Sequence, residues 1–275
     1  MAEFRIALRY QTAYAYEGEE FTEGNFCRRK VVASFAPEEV GLVLLDLHNW
    51  GWGPDPLNPE LGYEFELAAE HGTSFGRRMK QIIAEKIAPA LEAARASGVS
   101  VLHFNIPHIL RHYPQWKGQY TPLRESSPYD YPKNFLNTFR EKHGAFTHDL
   151  KREALRGRLA PKMDLPDPVK PIGNERCISD DQLDQFLEER IVNVLFFTGF
   201  WADVCVHDYL GYASSKYGYL CVVLRDATTG AEFAHTLDGM WVTELAITKM
   251  EMTGFSTTTD AFIQACQNIS SGHNL

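Results

Sequence analysis

Two side chains capable of chemistry stand where an apolar run stops and the backbone turns. In Val192–Asp208 (VNVLFFTGFWADVCVHD) the run Val194–Phe197 is bounded by Gly199, and a turn then delivers Cys205 to the start of an amphipathic segment. A thiol in the first turn of a helix is favoured as thiolate, because unpaired N–H groups and the helix dipole stabilise negative charge there. In Gly41–Asn49 (GLVLLDLHN) a second buried-strand pattern ends in the carboxylate of Asp46. Open α/β sheets bind their ligands at the carboxyl ends of strands. A nucleophile and a proton acceptor at two such ends are what covalent catalysis with proton transfer requires.

The elements that must position them alternate between strands and helices. Val43–Asp46 is the first strand, and Trp50–Gly62, rich in Pro, Gly and Trp, reads as a loop. Thr73 or Ser74 caps a helix running to about Ser97, with apolar positions at Met79, Ile82, Ile83, Ile87, Leu91 and Ala94; Pro89 is expected to kink or break it. Gly98 stops that helix and Val99–Phe104 is the next strand, which completes a βαβ unit of a parallel sheet. A short helix at Asp180–Arg190, the strand Val194–Phe197, a helix from Cys205 to near Gly218 and the strand Tyr219–Leu224 continue the alternation. A helix over 236–253, a strand near Phe255–Thr257 and a helix from Thr259 to about Gln267 follow. Residues 1–40 are expected as an N-terminal arm or hairpin packed on a domain spanning 41–275. Residues 105–170 show no sustained period and are expected as an insertion serving as a lid or an interface.

The 275 residues suit one α/β domain with insertions, and an apolar content of 44% supports a proper core. Against 27 Lys and Arg stand 36 Asp and Glu, a formal charge of −9 that disfavours nucleic acid or an anionic membrane as partner. No apolar stretch approaches a membrane span, and the N-terminus lacks a signal-peptide core, so a cytoplasmic location is expected. The five cysteines (Cys27, Cys177, Cys205, Cys221 and Cys266) are widely spaced, without the pairing of a disulfide framework or a thiolate zinc site. Neither GxGxxG nor a P-loop occurs, and no cofactor is expected. Apolar helix faces around Trp241 are expected to support a homo-oligomer.

Three features together resemble the isochorismatase-like cysteine hydrolases, relatives of nicotinamidases, carbamoylsarcosine amidohydrolases and ureidoacrylate amidohydrolases. Asp46-Leu47-His48-Asn49 is similar to the family's strand-ending Asp-x-Gln-Asn. Gly199-Phe200-Trp201-Ala202-Asp203-Val204-Cys205-Val206 is similar to Gly-x-x-Thr-Asp-x-Cys-Val, and Gly218, Tyr219–Leu224 and Asp226-Ala227 follow at the family's distance. Spacing agrees over roughly residues 41–104 and 170–267. The resemblance implies a doubly wound, mostly parallel, Rossmann-like sheet in three α/β/α layers. It implies that Cys205 attacks an amide carbonyl of a small molecule, that Asp46 shuttles the proton, and that water releases the acyl group. It places the oxyanion on backbone N–H groups of Cys205 and of Trp201 or Ala202, with a cis peptide near Phe200–Trp201. His48, Trp52, Phe200 and Trp201 would contact substrate, with Trp50 a further aromatic of the wall.

The chain departs from that pattern in two places. Counting back from Leu183, the family's activating lysine falls near Ile172; Lys170 is the candidate, with Lys162 the next and Arg176 a source of charge only. The motif threonine is Ala202, and Phe200 and Trp201 make the turn bulky, which favours a flat or apolar substrate. No metal is expected: the Asp-x-His pair of nicotinamidase-like members is missing between the first two strands, and His103, His108 and His112 are expected as lid or surface residues. Two other functions remain open. One is a catalytically silent member of the fold that binds a ligand or partner. The other is a hydrolase of an ester, ureide or hydrazide.

Overall fold

A computed structural model describes residues 3–49, 72–120, 135–143 and 163–270. Its strands are β1 (Phe4–Gln11), β2 (Arg28–Phe35), β3 (Val40–Leu45), β4 (Ser100–Phe104), β5 (Arg176–Ile178), β6 (Val194–Gly199), β7 (Leu220–Thr228) and β8 (Phe255–Thr257). The helices are α1 (Gly72–Ile82), α2 (Ala88–Ser97), α3 (Pro107–Leu110), α4 (Phe135–Lys142), α5 (Leu183–Glu189), α6 (His207–Tyr217), α7 (Trp241–Thr253) and α8 (Thr259–Ser270). The strands form one sheet in the order β2-β1-β8-β7-β6-β3-β4-β5. Pairing is parallel from β8 through to β5, and antiparallel only where β1 meets β2 and β8.

Helices cover both faces, as a parallel sheet requires. Phe75 and Met79 of α1, Leu91 of α2 and Phe262 of α8 pack on one face; Phe186 of α5, Leu210 of α6 and Ile247 of α7 pack on the other. Every residue of β3 and of β6 is buried, which explains their unbroken apolar runs. The result is the three-layer α/β/α fold with a mostly parallel sheet that the family resemblance implies, built on the alternation of strands and helices read from the sequence.

Local sequence accounts for most boundaries. Gly98 and Gly218 close α2 and α6 in the left-handed conformation, at φ 75° and 70°. The long helix expected to kink or break at Pro89 instead runs on through a π turn at Ile83–Ile87, whose wider backbone immediately precedes the proline. The segment expected as an arm contributes β1 and β2 to the sheet, with Arg9 in register with Ser256.

One expected helix needs correction. The helix placed over 236–253 begins at Trp241, after a turn containing Leu237 and Met240. Helical phase puts Ile247 and Met250 in the core but leaves Trp241 64% and Leu245 57% exposed on the opposite face. Among the described residues no helix is long and apolar enough to cross a membrane.

Candidate active site

The site forms where β3 and β6 end side by side. Leu45 is the register partner of Gly199, and the Phe200 N–H donates to the Leu45 carbonyl at 3.1 Å. Gly199 sits at φ 110°, and a Cβ there would lie 1.9 Å from the Leu45 oxygen, so only glycine permits this approach. Asp46 follows with φ 49°, unusual for a side-chain-bearing residue, and its N–H donates to the Phe104 carbonyl at the end of β4 (2.9 Å). Past Gly199 the peptide Phe200–Trp201 is cis, and a π turn, Ala202–Val206, carries Cys205 into α6.

These turns bring the Asp46 carboxyl and the Cys205 thiol into a hydrogen bond, while the Trp201 N–H points at the sulfur. Burial pushes the thiol up, and the charge and hydrogen bond of Asp46 add to this. The Trp201 N–H works against them, and the thiol ends at about 12. Asp180 adds a second nearby carboxylate. The resting thiol is therefore protonated and hydrogen-bonded to the Asp46 carboxyl. A helix N-terminus by itself would favour thiolate; the two carboxylates and burial outweigh it here.

The turn is braced from two directions. Phe75 of α1 sets its ring edge-on to Trp201, centroids 5.3 Å apart, and also meets Phe200 at 6.5 Å. Arg78, one turn further along α1, donates to Thr229 Oγ1 (2.9 Å) and the Gly230 carbonyl (3.1 Å). The Thr229 carbonyl in turn accepts the Ala202 N–H at 3.1 Å. This separates the two upstream amides: Ala202 is engaged by Thr229, and Trp201 faces the sulfur. Asp203 accepts the Ala231 N–H at 3.3 Å, a turn contact, and Asp226 binds Thr259 at the start of α8.

Lys170 is not brought to the thiol. Its ammonium is held by Asp167 at 2.7 Å and Asp164 at 3.1 Å, which hold its proton more tightly than usual. The segment between Lys170 and Arg176 is fastened to α2 instead. Glu175 receives Arg95 in a two-pronged ion pair (2.6 and 2.9 Å), lies 2.8 Å from His103 Nε2 and accepts the Ile172 N–H at 3.0 Å. Burial pushes the Glu175 carboxyl up, but the hydrogen bonds from His103, Arg95 and Ile172 hold it at about 2. Sequence reasoning passed over Glu175, Arg78 and Phe75, since neither charge nor periodicity tells which partner a side chain meets.

His48 is buried two residues beyond Asp46. Neighbouring Asn105 donates to the Leu47 carbonyl at 2.9 Å and so supports this stretch. Trp50, Trp52 and Lys162 lie outside the described residues. His103 is engaged by Glu175, and His108 faces the Tyr120 ring. Among the described residues no group of three or more His, Cys, Asp or Glu is arranged to hold a metal.

The site thus places a carboxylate at one strand end of a doubly wound α/β fold in a hydrogen bond with a cysteine beyond the neighbouring strand. A family model described as the isochorismatase domain matches residues 71–260. The chain belongs to the isochorismatase family and is a hydrolase. The match begins after the strand that carries Asp46, so the placement of that carboxylate comes from the sheet itself. Among curated relatives, the ureidoacrylate amidohydrolase RutB of Serratia proteamaculans (strain 568) is 26% identical over 223 residues, covering 75% of this chain and 77% of that one. RutB of Yersinia enterocolitica serotype O:8 is 31% identical over 169 residues, 55% of this chain and 64% of that one. Among solved structures, a cysteine hydrolase from Pseudomonas syringae pv. phaseolicola 1448A superposes with a TM-score of 0.53 at 16% identity. That alignment covers 86% of this chain and 95% of that one, and shows the shared fold.

Proposed function

We propose that this hydrolase cleaves an amide-type carbon–nitrogen bond of a small molecule through a thioester on Cys205. The observation that carries the reading is the hydrogen bond between the Asp46 carboxyl and the Cys205 thiol, with the Trp201 N–H on the sulfur. Sγ attacks the carbonyl carbon as the thiol proton passes to Asp46. The backbone N–H groups of Trp201 and Cys205 receive the oxyanion. Asp46 then protonates the departing nitrogen, the C–N bond breaks and the thioester remains. Water attacks the thioester carbonyl as it gives a proton to Asp46; the C–S bond then breaks, Asp46 returns the proton to the sulfur, and the acid leaves.

The ureidoacrylate amidohydrolases among the relatives make ureido acids the first substrates to try. Incubation with ureido acids, primary amides and aryl esters, followed by ammonia assay and intact-mass spectrometry, tests the reading. An acyl adduct on Cys205, with turnover abolished in Cys205→Ala, is expected; turnover in that variant removes the nucleophile. Ester cleavage without ammonia release moves the assignment to an esterase.

A further inference from the structure

A second pair of side chains stands at the site and takes no part in the steps above. Tyr209 follows Cys205 by one helical turn, on the same side of the chain's path into α6. Its hydroxyl donates to Asp180 Oδ1, and its ring lies edge-on to Phe104 with centroids 4.5 Å apart. Phe104 ends β4 and its carbonyl holds the Asp46 N–H, so the pair is fastened to the strand end that positions the proton acceptor. Asp180 opens the turn ahead of α5, whose start is fixed by Ser179 and Gln182.

Charged or titratable groups that bear on Cys205 include Asp46 from the end of β3, Asp180 from the turn ahead of α5 and, on its own helix, Tyr209. Other ionisable residues of the turn and the first turn of α6 have partners of their own. His207 is paired with Asp208 at 2.9 Å, and Asp203 accepts the Ala231 N–H. Asp46 is needed as proton acceptor. Asp180 only opposes negative charge on sulfur, and its partner decides how strongly.

We propose that Tyr209 is a positioning residue that acts on Cys205 through Asp180: its hydroxyl ties that carboxylate to one place in the site wall and takes up part of its charge, which leaves the thiol free to pass its proton to Asp46. A phenol suits this role, since it donates one strong hydrogen bond and adds no charge of its own. Burial and the bond to Asp180 push the Tyr209 phenol well above its usual range, so it stays a donor across physiological pH. The inference rests on Cys205 being the nucleophile of the proposed reaction.

The test needs no substrate. The rate of Cys205 alkylation by iodoacetamide is followed by peptide mass spectrometry on the full chain, with Tyr209→Phe, Asp180→Asn and the double variant, from about pH 6 to 10. The rate tracks the thiolate fraction, and Phe keeps the ring on Phe104. Tyr209→Phe is expected to slow alkylation at a given pH by about threefold and Asp180→Asn to speed it by about threefold, half a pH unit each for an exposed, screened carboxylate. The double variant is expected to match Asp180→Asn, because the hydroxyl then has no charge to hold. Unchanged profiles in either single variant, or effects that simply add in the double, overturn the proposal. Failure of the nucleophile reading shows separately, as turnover that survives Cys205→Ala.

Discussion

Leu45 and Gly199 meet backbone to backbone, and their contact is what joins Asp46 to Cys205. They are register partners at the ends of β3 and β6, with the Phe200 N–H on the Leu45 carbonyl. One residue beyond Leu45 is Asp46; beyond Gly199 the turn leads to the thiol of Cys205. The site is thus a consequence of strand register, and its precision is set by the main chain.

Gly199→Ala places a Cβ 1.9 Å from the Leu45 oxygen at φ 110°. A destabilisation of at least about 3 kcal/mol is expected from overpacking and left-handed strain together. Gly211→Ala, in α6 with nothing within 4 Å of the new Cβ, is expected to stabilise by about 0.5–1 kcal/mol. Urea midpoints compare the two; a mild Gly199→Ala would show that the strand ends can part without cost.

Asp46→Asn is expected to act in opposite directions on two assays. Turnover of whichever amide the chain hydrolyses falls by roughly 10²–10⁴, the usual contribution of a general base. Alkylation of Cys205 quickens, because the carboxylate that holds the thiol proton is gone. A turnover loss below about tenfold would demote Asp46 from proton acceptor.

With the thiol raised to about 12, its alkylation rate is expected to climb about tenfold per pH unit through the neutral and alkaline range, without the levelling near 8.5 of an ordinary cysteine. Lys170→Ala is expected to leave that curve in place, since its ammonium is bound to Asp164 and Asp167. A plateau below pH 8, or a shift on removing Lys170, would mean that a cation reaches the sulfur.

The Glu175 cluster makes a prediction for acid stability. A carboxyl held at about 2 contributes stability that is fully present above its unfolded value, near 4.5, and is lost as pH falls through about 2. Wild-type stability should therefore decline between these values. Glu175→Gln should remove that part of the acid limb and lower stability at neutral pH by roughly 3–5 kcal/mol, because Arg95 loses its ion pair and His103 its hydrogen bond. Thermal melts across the range read both effects; parallel curves for the two proteins would show that Glu175 is not linked to folding.

The sequence by itself determined the alternation of strands and helices, the two buried strands and the placing of Asp46 and Cys205 at their ends. These follow from local patterns: apolar runs that only a covered strand accommodates, and glycines at Gly98, Gly199 and Gly218 whose backbone needs no partner to be read. It also carried the family resemblance in the motif from Gly199 to Val206. The tertiary structure decided the rest, because the partner of a side chain depends on what else competes for it in space. Lys170 finds Asp164 and Asp167 before any thiol, Glu175 gathers Arg95 and His103 from α2 and β4, and the Ala202 N–H goes to Thr229 while Trp201 keeps its own on the sulfur. The protonation of Cys205 is the sharpest case. Its position in the turn leading into a helix favours the thiolate, but burial together with Asp46 and Asp180, brought in from distant segments, reverses that preference.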